Sequence, residues 1–319
     1  MNNNDPWSVL SLPSNEKLNR RKARDGQIVD IYWVLDDSAN KGLLIDVDDL
    51  VKPDKLMTAS FKLKGMKFGL IKESKKRLLI TLHEHEFKDI FLKLCNDLID
   101  IACDCASVKQ VFPAVAKRIS AWKKLLANSR GNLLSDIEKQ GLYAELLFFK
   151  TLIESKPELE TEFIGSWKGP EKSQHDFVIG DKAIEIKSIT NSSRNKVKIS
   201  SEDQLCTKLN ELYLSVYFLV VHGQGEIGRN LNELVKLILL EINDSENKEK
   251  FESKLLEARY IDISDNDLPR FSLKEITNYK VYGDFPRIIP EFLIDGVNSV
   301  KYKIELSSID DYKVDEEII

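Results

Sequence analysis

Three side chains that could bind a metal ion and act on a phosphate stand close together in the stretch QHDFVIGDKAIEIKSI: Asp176, Glu185 and Lys187. Asp176 opens a short apolar run. Gly180 and Asp181 then form a pattern typical of the tight turn that joins two strands. A second apolar run follows and carries Glu185 and Lys187. The spacing therefore predicts a pair of strands that holds both an acidic and a basic group.

The alternation within the second run decides which side chains meet. Residues two apart in a strand point to the same face, so Glu185 and Lys187 share one face while Ile184 and Ile186 face the core. If the two strands form a hairpin or are neighbours, Asp176 reaches the same side. The pattern therefore predicts one cluster of two carboxylates and one ammonium group.

Hydrolysis of a phosphodiester requires such a set. Two carboxylates can hold Mg²⁺, which neutralises the charge that develops on the phosphate and lowers the pKa of a bound water. A lysine beside them can orient the attacking water or stabilise the transition state. An isolated Asp with a Glu-x-Lys pair also fits a salt-bridged surface hairpin, so the neighbouring elements decide between the two interpretations.

The helix that precedes the motif supplies a further carboxylate. In GLYAELLFF and the residues after it, Gly141, Glu145, Phe148 and Leu152 fall on one helical stripe. An unpaired carboxylate among apolar neighbours is costly, so a metal site or Lys187 would explain Glu145. The alternative is a glutamate at the rim of the core whose carboxylate reaches water.

A polar segment follows the motif. In KISSEDQL, Ser201 is a predicted helix N-cap, and Gln204 falls in the first turn of the predicted helix. From there Gln204 could face a phosphate or Lys187.

The remaining elements frame this region. Residues 1–85 read as a β-rich domain, with turn-punctuated apolar runs that suit an antiparallel sheet of its own, and 86–130 as a helical connector. Ser135 and Glu138 form a capping box that starts the helix bearing Glu145. The stretch 131–225 is the predicted α/β core, where LYLSVYFLVVHG is apolar enough for a central strand buried on both faces. Helices and strands over 226–319 complete the fold.

Composition narrows the class of protein. The 319 residues carry a formal net charge of −5 and are 42% hydrophobic, as in an ordinary globular protein. No apolar run is long enough to span a membrane, and the first residues lack the pattern of a signal peptide, so we expect a cytoplasmic location. The spacing of the four cysteines suits neither a zinc site nor disulfides.

The acidic balance argues against a protein that wraps DNA alone, because such proteins usually present a basic surface. Basic residues are dense only locally, and the densest places are three: Lys17 to Arg24, Lys72 to Arg77, and Arg194 with Lys196 and Lys198. The third is the strongest candidate for contact with a nucleic acid, since it directly follows the Glu-x-Lys motif.

The chain resembles the restriction-endonuclease-like PD-(D/E)XK superfamily in the order of its motifs. A helix with a glutamate comes first, followed by an aspartate, a Glu-x-Lys pair and a segment with a glutamine. More narrowly, it resembles a bacterial family of unknown function whose genes often occur in clusters for defence against phage. The segments that carry the resemblance are LSDIEKQGLYAELLFF, the W-x-G-P of residues 167–170, HDF, AIEIKSI, ISSEDQL, DFPRI and VKYKIEL. One departure is His175, which stands where the superfamily name has proline and whose side chain we expect to be solvated.

The resemblance implies a restriction-endonuclease-like mixed sheet flanked by helices, with an additional β-rich N-terminal region. It implies that Asp176 and Glu185 bind Mg²⁺ or Mn²⁺, that Lys187 is catalytic, that Glu145 assists them or binds a second ion, and that Gln204 supports the site. The implied activity is endonucleolytic cleavage of DNA in phage restriction, and the net charge favours partners such as a helicase or ATPase. The alternative is a non-catalytic subunit that binds nucleic acid or assembles with other proteins and keeps the fold of a nuclease. An RNA substrate also fits the sequence.

Overall fold

The structure is a computed structural model, and it describes residues 5–14, 17–25, 28–47, 61–63, 65–72, 76–128, 134–190, 195–223, 225, 227–262, 268–315 and 318. The chain divides into two compact units, Met1–Leu133 with Ile261–Ile263, and Leu134–Tyr260 with Ser264–Ile319. The predicted finer division at residues 85, 130 and 225 stays a prediction. Lys75 and Arg194, from the predicted basic clusters, lie outside the described residues.

The first unit contains an antiparallel six-stranded sheet and two helices. Its strands stand in the order β1-β2-β3-β6-β5-β4, none of them paired with the sheet that carries the Glu-x-Lys motif, so the predicted separate N-terminal sheet is confirmed. The strands are β1 (Leu18–Lys22), β2 (Ile31–Asp36), β3 (Lys41–Val47), β4 (Phe61–Leu63), β5 (Met66–Lys72) and β6 (Lys76–Leu82). The helices are α1 (Lys88–Asp104) and α2 (Val108–Asn128), both amphipathic, as the helical spacing of their apolar residues predicts.

The second unit is built on a mixed five-stranded sheet with the order β13-β11-β10-β8-β7. The strands are β7 (Phe177–Ile179), β8 (Lys182–Ile189), β10 (Glu211–His222), β11 (Arg270–Lys280) and β13 (Lys313–Val314). β10 pairs in parallel with β8 and antiparallel with β11. The apolar run around Ser215 to His222 is therefore the central strand that its composition predicts.

Helices cover one face of this sheet. They are α3 (Asp136–Ser155), α4 (Glu160–Ser166), α5 (Leu231–Glu241) and α6 (Ser245–Glu257). Ile184 and Ile186 of β8 pack into the core beneath the helices, as the alternation predicts. Ser135 and Glu138 cap α3 reciprocally, so the predicted capping box is confirmed.

A two-stranded ribbon of β9 (Lys196–Ile199) and β12 (Tyr302–Glu305) covers the other face. Ala183 and Ile189 of β8 belong to the second core, together with apolar residues of the ribbon. Because Glu185 and Lys187 have the same parity in β8 as Ala183, they point to the ribbon side. None of the helices among the described residues combines the length and apolarity needed to cross a membrane.

Candidate active site

The edge of the sheet beside β8 is open where the acidic residues gather. β7 pairs only with the first residues of β8, from Lys182 to Ile184. Beyond Ile184 no strand of the described residues covers this edge. The side chain of Asp176 takes the place of one: its Oδ2 accepts a hydrogen bond of 2.8 Å from the backbone N–H of Ile186. The Asp176 carboxylate is thereby held against β8 at the level of Glu185.

The hairpin that brings Asp176 to this edge forms as predicted. Gly180 adopts a φ of +55°, in the left-handed region that glycine tolerates best, and β7 and β8 pair antiparallel on either side of it. The predicted turn at Gly180 and Asp181 is confirmed.

Glu185 lies at the bottom of the cluster with a relative exposure of 1%. Its Oε1 accepts a hydrogen bond from the Nζ of Lys187, two residues along the same face of β8. Its Oε2 has no hydrogen-bond partner among the residues that the structure describes. A buried carboxylate oxygen without a donor is rare in folded proteins, because desolvation then goes uncompensated, and it indicates a position kept for a ligand.

Glu145 approaches the same place from α3. Its Oε2 accepts a hydrogen bond of 2.9 Å from the indole Nε1 of Trp167, whose ring is fully buried. Its carboxylate and that of Asp176 both lie near Gly169, and Asp176 is held against β8 beside the Glu185–Lys187 pair, so we call these four side chains the acidic cluster.

The absence of a side chain at Gly169 makes room for this cluster. A Cβ at that position would stand 2.5 Å from the Oε2 of Glu145 and 3.3 Å from the Oδ1 of Asp176. The backbone N–H groups of Lys168 and Gly169 both donate to the carbonyl oxygen of Asp176, at 2.7 and 3.1 Å. In the W-x-G-P segment, Trp167 thus holds the Glu145 carboxylate by a hydrogen bond, and Gly169 leaves space for the carboxylates of Glu145 and Asp176. The sequence pointed to this segment by resemblance alone, without a role.

Burial raises the pKa of every carboxyl group in the cluster, and repulsion from Asp176 raises that of Glu145 and Glu185 further. Burial raises the pKa of Glu145 well above its usual value, and the Asp176 charge raises it further. Burial also raises the pKa of Asp176, against the opposing effect of the Lys187 ammonium group. The same two causes, burial and the Asp176 charge, raise the pKa of Glu185 to about 8. One ammonium group is insufficient to keep three buried carboxylates ionised.

Lys187 itself stays charged. Burial lowers its pKa, but the neighbouring carboxylates, Glu185 first and then Asp176, outweigh burial and raise it overall. The ammonium group therefore remains a hydrogen-bond donor at neutral pH, with its side chain 16% exposed.

Two predicted neighbours of the site take other positions. The helix predicted from Ser201 is wrong: residues 202–205 form a turn, and no helix begins in the described residues 195–223. The Ser201 hydroxyl accepts from the backbone N–H of Asp203 at 3.2 Å, which closes the turn locally, and β10 starts only a few residues later. Gln204 Oε1 accepts from the backbone N–H of Ser200 at 2.7 Å, so its amide is engaged outside the acidic cluster. Its supporting role in the site stays a prediction.

His175 lies beside Asp176 in the chain and is buried, and neither ring nitrogen forms a hydrogen bond of normal geometry with the described residues. Burial lowers its pKa, although backbone groups of Cys206 and Gln204 lie near enough to oppose this in part. The imidazole is therefore neutral at pH 7, which differs from the solvated side chain expected from the sequence.

The donor set suits a hard cation with few protein ligands. Among the described residues no group of three or more His, Cys, Asp or Glu side chains is arranged to hold one ion together. Asp176 keeps Oδ1 and Glu185 keeps Oε2 after their hydrogen bonds within the protein. Mg²⁺ prefers such a site, because it usually takes one or two carboxylates and retains several waters.

A mixed sheet flanked by helices, with an aspartate and a Glu-x-Lys pair at its open edge and a glutamate reaching in from a helix, defines a protein with the restriction-endonuclease-like nuclease fold. The chain belongs to the family described as "Putative PD-(D/E)XK family member" (DUF4420), whose model matches residues 3–307. No curated protein and no solved structure matches the chain.

Proposed function

We propose that this protein is a metal-dependent endonuclease that hydrolyses phosphodiester bonds in DNA, within a bacterial system that restricts phage. The observation that carries the proposal is the acidic cluster, in which the buried Oε2 of Glu185 lacks a hydrogen-bond partner in the described part of the chain and two further carboxylates interact with Glu185. A purely structural cluster of this kind would be unfavourable in a folded protein. A cytoplasmic location is part of the same proposal.

Asp176 Oδ1 and Glu185 Oε2 would hold Mg²⁺ or Mn²⁺, with waters and substrate oxygens as the other ligands. When bound, the ion supplies charge neutralisation at the phosphate and a water of lowered pKa. Glu145 would bind a second ion or accept a proton from a water ligand. Trp167 would hold Glu145 in place, since its indole N–H occupies Oε2 of that carboxylate.

Lys187 would act directly on the substrate. Its ammonium group is charged, donates a hydrogen bond to Glu185 and interacts electrostatically with Asp176 and Glu145. From there it can donate hydrogen bonds to a non-bridging phosphate oxygen, or orient the attacking water. Charge developing on the phosphate in the transition state strengthens this interaction, which is the condition for catalysis.

The alternative is a non-catalytic subunit that binds nucleic acid or assembles with other proteins. The lack of a three-ligand group among the described residues favours it to some degree. The net charge of −5 favours partner proteins, such as a helicase or ATPase, under either interpretation.

Cleavage of supercoiled plasmid DNA by the purified chain, with Mg²⁺, Mn²⁺ or EDTA, tests the proposal. We expect cleavage with either cation, and its loss in Lys187→Ala, because the ammonium group is removed while the two metal-binding carboxylates remain. Lys182→Ala is the matched control: this lysine lies on the same strand, donates to the carbonyl of Ile318 at 2.7 Å, and stands outside the cluster. Control and wild type should cleave alike.

The melting temperature separates the two interpretations. A divalent ion that binds only the folded state stabilises it, by about 2.7 kcal/mol at one hundred times its Kd. Wild type and Lys187→Ala should both melt at a higher temperature with Mn²⁺ than with EDTA. If the wild type neither cleaves DNA nor changes its melting temperature with the cations, the protein is the non-catalytic subunit and the proposed nuclease function is wrong.

A further inference from the structure

The ribbon beside the candidate active site carries an unusual arrangement of charge. β9 and β12 pair antiparallel, with Lys198 opposite Lys303 and Lys196 opposite Glu305. Among the described residues these two strands form a sheet of their own, so neither has a second neighbouring strand.

One face of the ribbon is apolar and the other is charged. Val197, Ile199 and Ile304 are buried in the core that also contains residues of β8. The alternate positions present Lys196, Lys198, Lys303 and Glu305 on the outer face, where Lys198 and Lys303 are exposed. The apolar contacts hold the ribbon in place, and the outer face is left for solvent or a ligand.

The lysines on this face are not neutralised equally. Lys196 forms an ion pair of 2.6 Å with Glu305. Lys198 and Lys303 have no ion-pair or hydrogen-bond partner among the described residues, although they stand directly opposite each other. Like charges at directly opposed positions destabilise a pair of strands. Folding alone therefore gives no reason for this pair of lysines, whereas a polyanion bound across the ribbon would.

The ribbon lies next to the acidic cluster. The apolar inner side of the ribbon packs in one core with Ala183 and Ile189, which lie on the same face of β8 as Glu185 and Lys187. The ends of the ribbon are also fixed: Leu306 donates to the carbonyl of Asn195 at 3.0 Å, and the Glu202 carboxylate accepts from Ser299 and Val300 at 2.9 and 2.8 Å. The lysines therefore project from an anchored element beside the candidate catalytic lysine.

We infer that the outer face of the β9–β12 ribbon binds the phosphate backbone of duplex DNA, with Lys198 and Lys303 as its principal contacts. The inference rests on the proposed function, because it assigns a surface to the substrate of that same site. Exposed lysines on a fixed element suit contact with phosphates, which positions a duplex without reading its sequence. The ribbon would thus supply, over a small area, the positive charge that the chain as a whole lacks.

Binding of a fluorescent duplex DNA to the full-length chain, in Ca²⁺ and over a series of salt concentrations, tests the inference. For the double variant Lys198→Gln with Lys303→Gln we expect at least a tenfold loss of affinity at low salt. The slope of log K against log salt should become less steep by about 2, since each lost phosphate contact contributes about 0.9.

Two further variants serve as controls. Lys236→Gln with Lys274→Gln changes the net charge equally, at exposed lysines of α5 and β11, and should leave both affinity and slope unchanged. Lys303→Glu places opposite charges across the ribbon, so its melting temperature should not fall, yet its affinity for DNA should. A fall in melting temperature without a change in affinity would assign the ribbon a structural role only.

The outcomes separate this inference from the proposed function. DNA binding that depends on the ribbon, in a wild type that never cleaves, would retain the surface and reject the nuclease. Cleavage and binding by the double variant at wild-type levels would reject the surface and retain the nuclease. Tighter ribbon-dependent binding of a duplex RNA of equal length would overturn DNA as the ligand.

Discussion

Glu160 and Glu185 are both buried carboxylates of the second unit, with relative exposures of 7% and 1%, and their surroundings are opposite in kind. Glu160, at the start of α4, accepts hydrogen bonds from the backbone N–H of Asn243 at 2.8 Å and from the side-chain amide of Asn247 at 2.8 Å. Asp244 adds a longer one of 3.4 Å. Glu160 therefore ties α4 to the loop and helix that follow α5.

Within the described residues, Glu185 has one hydrogen-bond partner, Lys187, its Oε2 has none, and it interacts with two other carboxylates. Glu202 resembles Glu160 in having several hydrogen-bond donors: its carboxylate accepts from the backbone N–H groups of Ser299 and Val300. Hydrogen bonds from backbone N–H groups, first that of Glu202 itself, lower its pKa. Where the fold needs a buried carboxylate it supplies donors. At Glu185 the described residues supply a single donor, and under the proposed function a metal ion would complete the set.

Substitutions that remove these carboxylates should differ most in their effect on the rate of DNA cleavage. Asp176→Asn and Glu185→Gln each remove a charge that the proposed mechanism requires, and we expect each to reduce the cleavage rate by about a thousandfold or more, a typical loss for a group that stabilises the transition state. Glu160→Gln serves as the matched change at the other carboxylate. Its rate, measured on plasmid DNA below its melting temperature, should stay within a few-fold of wild type.

Equal losses in all three variants would remove the distinction between the two carboxylates. Wild-type rates in Asp176→Asn and Glu185→Gln would place the active site elsewhere.

The second effect is on stability, and its sign should differ between the regions. In Glu160→Gln, an NH₂ group faces the N–H donors that bind the carboxylate in the wild type, so at least one of those hydrogen bonds is lost. This substitution should lower the free energy of unfolding by about 1–3 kcal/mol. Asp176→Asn removes a carboxyl group whose charge is unfavourable beside two other buried carboxyl groups, while its remaining oxygen can still accept from Ile186. In EDTA it should raise the free energy of unfolding by about 1 kcal/mol.

Chemical denaturation of the two variants and the wild type measures both changes. A loss of stability in Asp176→Asn as large as that in Glu160→Gln would mean that the acidic cluster is a structural network after all.

The smallest effect concerns space within the cluster. Gly169→Ala would bring a Cβ to 2.5 Å from the Oε2 of Glu145, so the carboxylate must move and its bond from Trp167 must lengthen. We expect about a tenfold fall in the cleavage rate, equivalent to about 1.4 kcal/mol. Gly165→Ala, where an added Cβ meets nothing within 4 Å, is the control and should cleave as the wild type does.

Cleavage at the same rate by both alanine variants would show that the position of Glu145 does not matter to the reaction. A fall in Gly165→Ala alone would point to α4 rather than to the cluster.

Local patterns were sufficient to predict the hairpin at Gly180, the shared face of Glu185 and Lys187, the capping box at Ser135 and the central position of β10. Each of these depends on periodicity or on hydrogen bonds between residues a few positions apart. The sequence analysis did not predict β11, because most residues in the middle of RFSLKEITNYK are exposed and polar, which is not typical of a strand. Its main partner, β10, lies far away in the chain.

The types of the reactive groups and their spacing along β8 are properties of the sequence, because the two-residue repeat of a strand sets which of them share a face. Only the tertiary structure decided that Trp167 donates to Glu145, that Gly169 must lack a side chain, and that Gln204 turns to Ser200. It also placed Lys198 opposite Lys303, from strands more than a hundred residues apart. Such contacts depend on how whole elements pack, and no short stretch of sequence contains that information.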